Sequence, residues 1–304
     1  MKAELLSVLR DAGDYVSGQD LCEKFGVSRT AVWKGINQLK EAGYEIEAVP
    51  NKGYKLLSVP DALSEEELKS IRKTAWVGQE IFYYPVIDST NTRAKQLAEE
   101  DYPTGTLVVA GQQDAGRGRR GRSFESPQGA GIFMTLMLKP ELSPVNAPML
   151  TLVAALAVSA AIVKTTGRPA GIKWPNDIYW KDKKICGILI ENDLSGHHIR
   201  RSIAGIGINI NQEVFNSDAP NPVSLKQITG KEHDRYEILA HILRRVQIYY
   251  NSLQMEDFAV YSDEISTRYA RSLFRRRGLH PYEDANGKFL ARLLRVEQDG
   301  RFVL

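Results

Sequence analysis

The stretch GRGRRGR, Gly116 to Arg122, sets four arginines among three glycines. Guanidinium groups make charge-assisted, often bidentate, hydrogen bonds to carboxylates and phosphates. Glycines let the backbone approach a ligand and reach positive φ. The stretch lies between TGTLVVAGQQ and GAGIFMTLML, which both read as core strands, so it is a loop held at each end. A disordered RGG-like tract needs low-complexity, aromatic-poor surroundings, and these are absent. Nothing else in the chain points to a nuclear compartment, and the pattern matches neither GxxxxGK[ST] nor GxGxxG. The reading that fits is a loop closing over a small anion, carried by Arg117 and Arg119, with Arg120 and Arg122 unassigned. Like charges and glycine entropy make such a loop mobile until a ligand supplies negative charge.

Three further clusters could join it. In KWPND, Lys173 to Asp177, proline fixes a turn that presents Asn176 beside Asp177. A carboxylate beside an amide suits a metal bound to substrate phosphates, or an incoming amine that needs orienting. An ordinary Pro-Asn-Asp turn explains the same residues. Lys184, opening the apolar run ICGILI, is either a phosphate partner or a snorkelling lysine. In GIGIN, Gly205 to Asn209, there is no third glycine and no helix signal behind, so a dinucleotide fingerprint fails. Glycines alternating along a strand clear one face for a flat ligand, and Asn209 adds a polar handle. In DSTN, Asp88 to Asn91, Ser89 or Thr90 caps a helix or binds a small polar head group.

The elements that must position these residues fall into three segments. Over residues 1–60 the pattern predicts three helices and a hairpin: KAELLSVLRDAG, then SGQDLCEKFG capped by Ser17, then a helix from Ser28 to Gly43, then two strands turning at Pro50 to Gly53. That is a winged helix-turn-helix. Its second helix would offer Arg29, Thr30, Trp33 and Lys34 to a major groove, with Lys52 at the hairpin tip for phosphate. Residues 1–58 hold eight basic and eight acidic side chains, so pattern rather than charge supports DNA binding. Residues 61–79 read as a linker helix capped by Ser64 with Glu67 three residues on. Residues 80–271 mix strands with helices beginning at Ser89, near Ala147 and near His233. Residues 272–304 read as a small β appendage broken at ANG and QDG.

At 304 residues and 43% apolar, the chain can bury a sizeable core in two or three domains. A net charge of +3 says little about partners. Cys22 and Cys186 form neither a disulfide framework nor a zinc pattern. With no signal peptide at its start, the chain is expected in the reducing cytoplasm. The apolar run Met149 to Val163 is expected to be a buried helix, too short to span a bilayer.

Taken in order, STN, QxxGRGR (Gln113 to Arg119), SPxGxGIxMT (Ser126 to Thr135), KWPND, KKICGIL and GIGININ resemble the bacterial biotin–protein ligases. With the N-terminal winged helix, the chain is similar to the bifunctional class that also represses the biotin operon. The resemblance implies an α/β (α+β) chain: a winged helix-turn-helix, a central mixed sheet of class II aminoacyl-tRNA-synthetase-like fold, and a small SH3-like β-domain. It implies that biotin and ATP form biotinyl-5′-AMP, and that the acyl group passes to a lysine of a biotin carrier domain. It places Ser89, Thr90, Asn91, Gln113, Gly116, Arg117, Arg119, Lys184, Gly187, Gly205 and Gly207 around biotin, and Arg119, Asn176, Lys184 and Asn209 around ATP. Arg119, Asp177 and Lys184 would serve catalysis, with Mg²⁺ at Asp177. Operator DNA and a ligand-promoted homodimer follow from the same resemblance, with no membrane partner. The family's terminal β-domain continues past a strand like DGRFVL, so the chain is expected to stop within that domain, and no contact is assigned there. A lipoate–protein ligase and a ligand-sensing repressor without catalysis are the competing readings.

Overall fold

The computed structural model describes residues 1–60, 63–217, 219–297 and 299–304. The chain divides into two compact units, Met1–Arg72 and Lys73–Leu304.

In the first unit, α1 (Lys2–Ala12), α2 (Gly18–Phe25) and α3 (Arg29–Glu41) precede the strands β1 (Glu45–Val49) and β2 (Gly53–Ser58). Leu5, Leu6 and Leu9 recur at helical spacing and bury one stripe of α1 against Leu21, Val32, Ile36 and Leu39. The side chains of Ser17 and Ser28 cap α2 and α3, accepting from Asp20 N at 3.0 Å and Ala31 N at 3.2 Å. At the hairpin turn, Gly53 has φ +113°, and a Cβ there would lie 1.9 Å from the Val16 carbonyl oxygen. Only glycine allows that approach, which lets Val16 and Tyr54 exchange two backbone hydrogen bonds of 2.9 Å.

The segment expected as a linker is divided. Helix α4 (Glu65–Ile71), with Ser64 accepting from Glu67 N at 3.1 Å, packs on α1 within the first unit. The buried Glu67 carboxylate pairs there with Arg10, and Glu66 pairs with Lys2 at 2.6 Å. Asp61 and Ala62, also in that segment, lie outside the described residues.

The second unit is built on a seven-stranded sheet. Its elements are β3 (Ile81–Ile87), α5 (Thr90–Glu99), β4 (Leu107–Gln113), β5 (Gly131–Leu138), α6 (Pro148–Thr166), β6 (Gly171–Lys173), β7 (Asp177–Trp180), β8 (Lys183–Ser195) and β9 (His198–Asn209). Helices α7 (Leu225–Thr229), α8 (Arg235–Leu253) and α9 (Phe258–Ser272) follow, then β10 (His280–Asp284), β11 (Gly287–Ala291), β12 (Arg295–Val296) and β13 (Phe302–Val303). The strand order is β3-β4-β5-β9-β8-β7-β6, with β3 and β4 parallel and every other pair antiparallel. Helix α5 lays Ala94, Leu97 and Ala98 on Val108, Met137 and Ile203 of one sheet face.

The long apolar helix departs from expectation in length. Pro144–Thr166 forms a 23-residue helical stretch of mean hydropathy 1.9, long and apolar enough to cross a membrane. Burial, not length, marks it as a core helix: two-thirds of the window is buried, and α6 packs against α8 and α9. Three elements were not anticipated from the sequence: the four-residue β7, the five-residue α7 and the fifteen-residue α9. The C-terminal strands form two antiparallel hairpins, β10–β11 and β12–β13. The indole of Trp174 donates to the Gly300 carbonyl at 2.9 Å and stacks near Phe302, ring centroids 5.1 Å apart. Gln298, within the expected QDG break, lies outside the described residues.

Candidate functional site

Antiparallel register decides what faces the ligand side of the sheet. Gly207 of β9 sits opposite Phe133 of β5 and Gly187 of β8, and Gly187 sits opposite Asp177 of β7. One row across four strands therefore reads Phe133, Gly207, Gly187, Asp177. The next row reads Thr135, Gly205, Leu189. Side chains alternate along strands, so both rows belong to one face, the face that carries α5. Two adjacent glycines leave a slot whose floor is bare backbone.

The glycines in these rows make room for side chains packed over them. A Cβ on Gly207 would lie 2.6 Å from the Phe124 ring. At Gly187 it would meet Lys184 Nζ at 3.3 Å and Phe124 at 3.4 Å. The Phe124 ring thus lies over the slot, edge-on to Phe133 with centroids 6.4 Å apart. At Gly205 the space is taken by the protein itself: a Cβ would fall 2.1 Å from Asn91 Oδ1. Gly205 was expected to face a ligand, but its missing side chain accommodates Asn91.

One end of the slot is lined by uncharged hydrogen-bonding groups, backed by the Glu191–Lys95 ion pair. Gln113 Oε1 accepts from Thr90 N at 2.8 Å and Thr90 Oγ1 at 2.9 Å, while Gln113 Nε2 donates to Ser126 Oγ at 3.0 Å. The fully buried Thr135 hydroxyl lies 2.8 Å from Thr90 Oγ1 and 2.7 Å from Asn91 Oδ1. Asn91 Nδ2 donates to Glu191 Oε2 at 2.9 Å, and Lys95 pairs with Glu191 Oε1 at 2.7 Å. Burial works against the Glu191 carboxylate, but the bonds from Lys95 and Asn91, with attraction from Arg117, hold its pKa below the ordinary carboxylate value. That stabilisation is full above the unfolded-state pKa and is lost as pH falls through the lowered one. Ser89 occupies the N-cap position of α5 and is buried, yet its side chain makes no capping bond.

The other end is charged. KWPND forms the β6–β7 hairpin, with Lys173 opposite Asp177. Asn176 Nδ2 donates to the Ile188 carbonyl at 2.6 Å, and Ile188 N donates to the Asn176 carbonyl at 2.9 Å. Those bonds leave Asn176 Oδ1 free to meet Arg119 Nη1 at 3.4 Å. Asp177 Oδ1 is buried without an aligned hydrogen bond, and the Lys184 ammonium lies 2.8 Å from it. At that distance the two are an ion pair whatever their alignment, since Coulomb attraction does not depend on bond direction. Asn209, buried, points its amide at the carbonyls of Lys184 (3.5 Å) and Val223 (3.4 Å). Burial pushes the neighbouring Cys186 thiol up, with Asp177 adding to it, so this cysteine packs rather than reacts. Cys22 and Cys186 are both free.

The Gly/Arg loop folds as a small hairpin between the two ends. Gly118 N donates to the Arg122 carbonyl at 2.7 Å and Phe124 N to the Gly116 carbonyl at 2.9 Å, with Arg120 (φ 55°) and Gly121 (φ 74°) turning left-handed at its tip. Gly116 is closely packed: a Cβ would lie 2.4 Å from the Phe124 carbonyl. Arg117 and Arg119 are exposed. Among the described residues no group of three or more His, Cys, Asp or Glu side chains could hold a metal by itself. Phe124 and Glu191 had no place in the sequence analysis, and Ser126 and Thr135 entered only as the ends of the SPxGxGIxMT run, with no role assigned. A carboxylate inside an otherwise apolar strand was the only signal for Glu191.

In the first unit, Arg29, Thr30, Trp33 and Lys34 lie exposed along the N-terminal half of α3, with Trp33 58% accessible. Lys52 is exposed at the hairpin tip, its ammonium 5.4 Å from the Tyr15 ring centre.

The chain thus joins a helix-turn-helix unit to a mixed-sheet unit with a glycine-floored slot. The model of the biotin/lipoate A/B protein ligase family matches residues 83–209, and a helix-turn-helix model matches residues 2–55. The bifunctional ligase/repressor BirA of Bacillus subtilis is 43% identical over 249 residues, covering 80% of this chain and 76% of that protein. The Escherichia coli protein of the same name is 31% identical over 260 residues, covering 85% and 79%. The structure of a biotin protein ligase from Aquifex aeolicus in complex with biotin and ATP superposes with a TM-score of 0.61 at 31% identity, covering 74% of this chain and 90% of that one. The chain belongs to the biotin/lipoate A/B protein ligase family, among its bifunctional ligase/repressors.

Thr135→Val keeps the shape of the side chain and removes the hydroxyl that Asn91 and Thr90 share. Leaving buried polar atoms without a donor costs about 1–3 kcal/mol, so denaturant unfolding should report a loss in that range. A change within about 0.5 kcal/mol, the scatter of ordinary surface substitutions, would show that the hydroxyl adds nothing.

Proposed function

We infer that the chain is an ATP-dependent biotin–protein ligase that forms biotinyl-5′-AMP, transfers biotin to a lysine of a carrier domain, and represses transcription by binding operator DNA. The observation that carries the reading is the layout of a single sheet face. A two-glycine slot runs from uncharged hydrogen-bonding groups at Thr90, Asn91 and Gln113 to Arg119, Asn176, Asp177 and Lys184. Biotin has the same polarity along its length: a neutral ureido ring, an apolar chain, and a carboxylate.

In this reading Ser89, Thr90, Gln113 and Asn91 bind the ureido end, and Gly116 lets the loop close against it. The chain lies along Gly207 and Gly187 in the place of the Phe124 ring, while Gly205 acts through Asn91. Arg117, Arg119 and Lys184 surround the carboxylate and the α-phosphate, whose mutual repulsion is the main electrostatic barrier. A carboxylate oxygen attacks the α-phosphorus, the bond to the bridging oxygen of pyrophosphate breaks, and pyrophosphate leaves. The acceptor amine then attacks the acyl carbon, loses its proton, and expels AMP. When Lys184 turns to the phosphate, Asp177 is freed to orient the amine or take that proton.

Mg²⁺ fits the residues present in the way it usually accompanies nucleotides, held by one or two carboxylates together with phosphate oxygens and water. Asp177, whose Oδ1 is buried and paired with Lys184, would be the carboxylate that holds it once that lysine turns to the phosphate, with Asn176 and Asn209 on the nucleotide side. When bound, the ion supplies charge neutralisation at the phosphates.

For repression, the exposed face of α3 enters the major groove and Lys52 meets phosphate. The adenylate-loaded chain pairs with a second copy to span two half-sites, and linkage requires that the ligand favour the pairing state. Use of ATP and operator DNA, together with two free thiols, supports a reading of the chain as cytoplasmic. The family also includes lipoate ligases, but the relatives above are named as biotin ligases and as ligase/repressors.

The function is tested by incubating the chain with ATP, biotin and a carrier domain and blotting with streptavidin; label on the carrier is expected, and its absence contradicts the assignment. Arg119→Gly should release the adenylate roughly 10- to 100-fold faster, the loss of one charge-assisted bond, while slowing its formation less. Adenylate release at the wild-type rate would remove Arg119 from that role. Lys52→Ala should weaken adenylate-dependent operator binding on all sequences alike and lower the salt dependence by about one counter-ion. An unchanged salt slope would take the hairpin tip off the phosphate backbone.

A further inference from the structure

Glu125 makes contacts that the chemistry above does not use. Its Oε1 accepts from Gln212 Nε2 at 2.7 Å, and its Oε2 accepts from the backbone N–H groups of Asn216 at 2.9 Å and Ser217 at 2.7 Å. These partners are 87 to 92 residues away in sequence. Gln212 is buried, and its amide nitrogen also donates to the Val214 carbonyl at 3.0 Å. Residues 212–217 form no helix or strand and so lack regular backbone partners, and Glu125 accepts from two of their donors.

Position gives these bonds a consequence. Consecutive residues at the end of the Gly/Arg loop touch three different parts of the site. Phe124 covers the Gly207–Gly187 slot, Glu125 holds residues 212–217, and Ser126 receives the Gln113 amide. The 212–217 segment starts just past Asn209, and further along the chain the Asn221 carbonyl accepts from Lys184 N at 2.8 Å. It therefore stands between two residues bonded to the Lys184 backbone, on the charged side of the slot.

We propose that Glu125 is a positioning residue that latches the Gly/Arg loop to the 212–217 segment, so that occupation of the slot resets the nucleotide side. The inference rests on the biotin and ATP reading. An acyl chain entering the slot must displace the Phe124 ring, because both need the space above Gly207. The backbone that moves with the ring carries the Glu125 carboxylate, and with it the segment. Bonds to a carboxylate are stronger than bonds between neutral groups, so the segment follows rather than detaches. Biotin and nucleotide then bind cooperatively.

The test uses the full chain with biotin and α,β-methylene-ATP as probes. Calorimetry gives the nucleotide affinity with and without biotin, and hydrogen exchange follows the Asn216 and Ser217 amides. In the wild type, biotin should tighten nucleotide binding by about 5- to 150-fold, the usual range of coupling between sites. In Glu125→Ala that factor should fall to about one, and the two amides should lose protection even without ligand. Biotin alone should still bind within about threefold of wild type, since the latch sets the coupling rather than the biotin contacts. Glu125→Gln keeps an oxygen for the two backbone amides but loses the charge, and should weaken the coupling less than Glu125→Ala does. Unchanged coupling in Glu125→Ala or unchanged amide protection would each overturn the latch. A wild-type chain that fails to bind biotin overturns the biotin reading instead, and amide protection still decides the latch.

Discussion

The pairing of β8 with β9 is the interaction on which the site depends. Its register sets Gly187 opposite Gly207, and the neighbouring pairings carry that row out to Phe133 on one side and Asp177 on the other. A slip of one residue would turn every side chain of a strand to the opposite face and close the slot with isoleucine. The register is held from both faces. The buried isoleucines of β9, Ile206 and Ile208, alternate with the glycines and point away from the slot. On the slot face, Asn91 fits over Gly205 and Phe124 over Gly207, and neither fits over a larger residue.

From that row the electrostatics follow. Asp177 reaches the slot because the KWPND hairpin places it at the first position of β7, opposite Gly187. Lys184 reaches the same place from the adjacent strand and forms the ion pair at 2.8 Å. Arg119 approaches from the loop above and meets Asn176, which is held by one hydrogen bond to and one from the Ile188 backbone. Arg119, Asp177 and Lys184 thus gather at one end, while at the other Thr90, Thr135, Gln113 and Asn91 satisfy one another in front of the Glu191–Lys95 pair. The segregation orients any ligand that is polar at one end and anionic at the other.

Much of this was legible in the sequence. Period-2 apolar runs located six strands of the central sheet, and capping serines located α2 and α3. The loop glycines, KWPND and GIGIN each carried a local signal, because backbone freedom and turn chemistry are local properties. What escaped depends on contacts distant in sequence. Asn91 and Glu191 are one hundred residues apart, and no spacing rule joins them. Gly205 looked like space for a ligand, and only the packing of α5 on the sheet reveals Asn91 there. Strand β7, four residues long and directly after a proline turn, was too short for periodicity to register. Helix α4 read as a linker because its partner α1 lies at the far end of the unit's sequence.

The central claim is that the slot selects a biotin-shaped acid and delivers its carboxylate to the α-phosphate of ATP. Exchange of labelled pyrophosphate into ATP reads that first step alone, without a carrier or DNA. Exchange that requires biotin and is not supported by lipoate is the result this account predicts. Exchange supported by lipoate but not by biotin would contradict it.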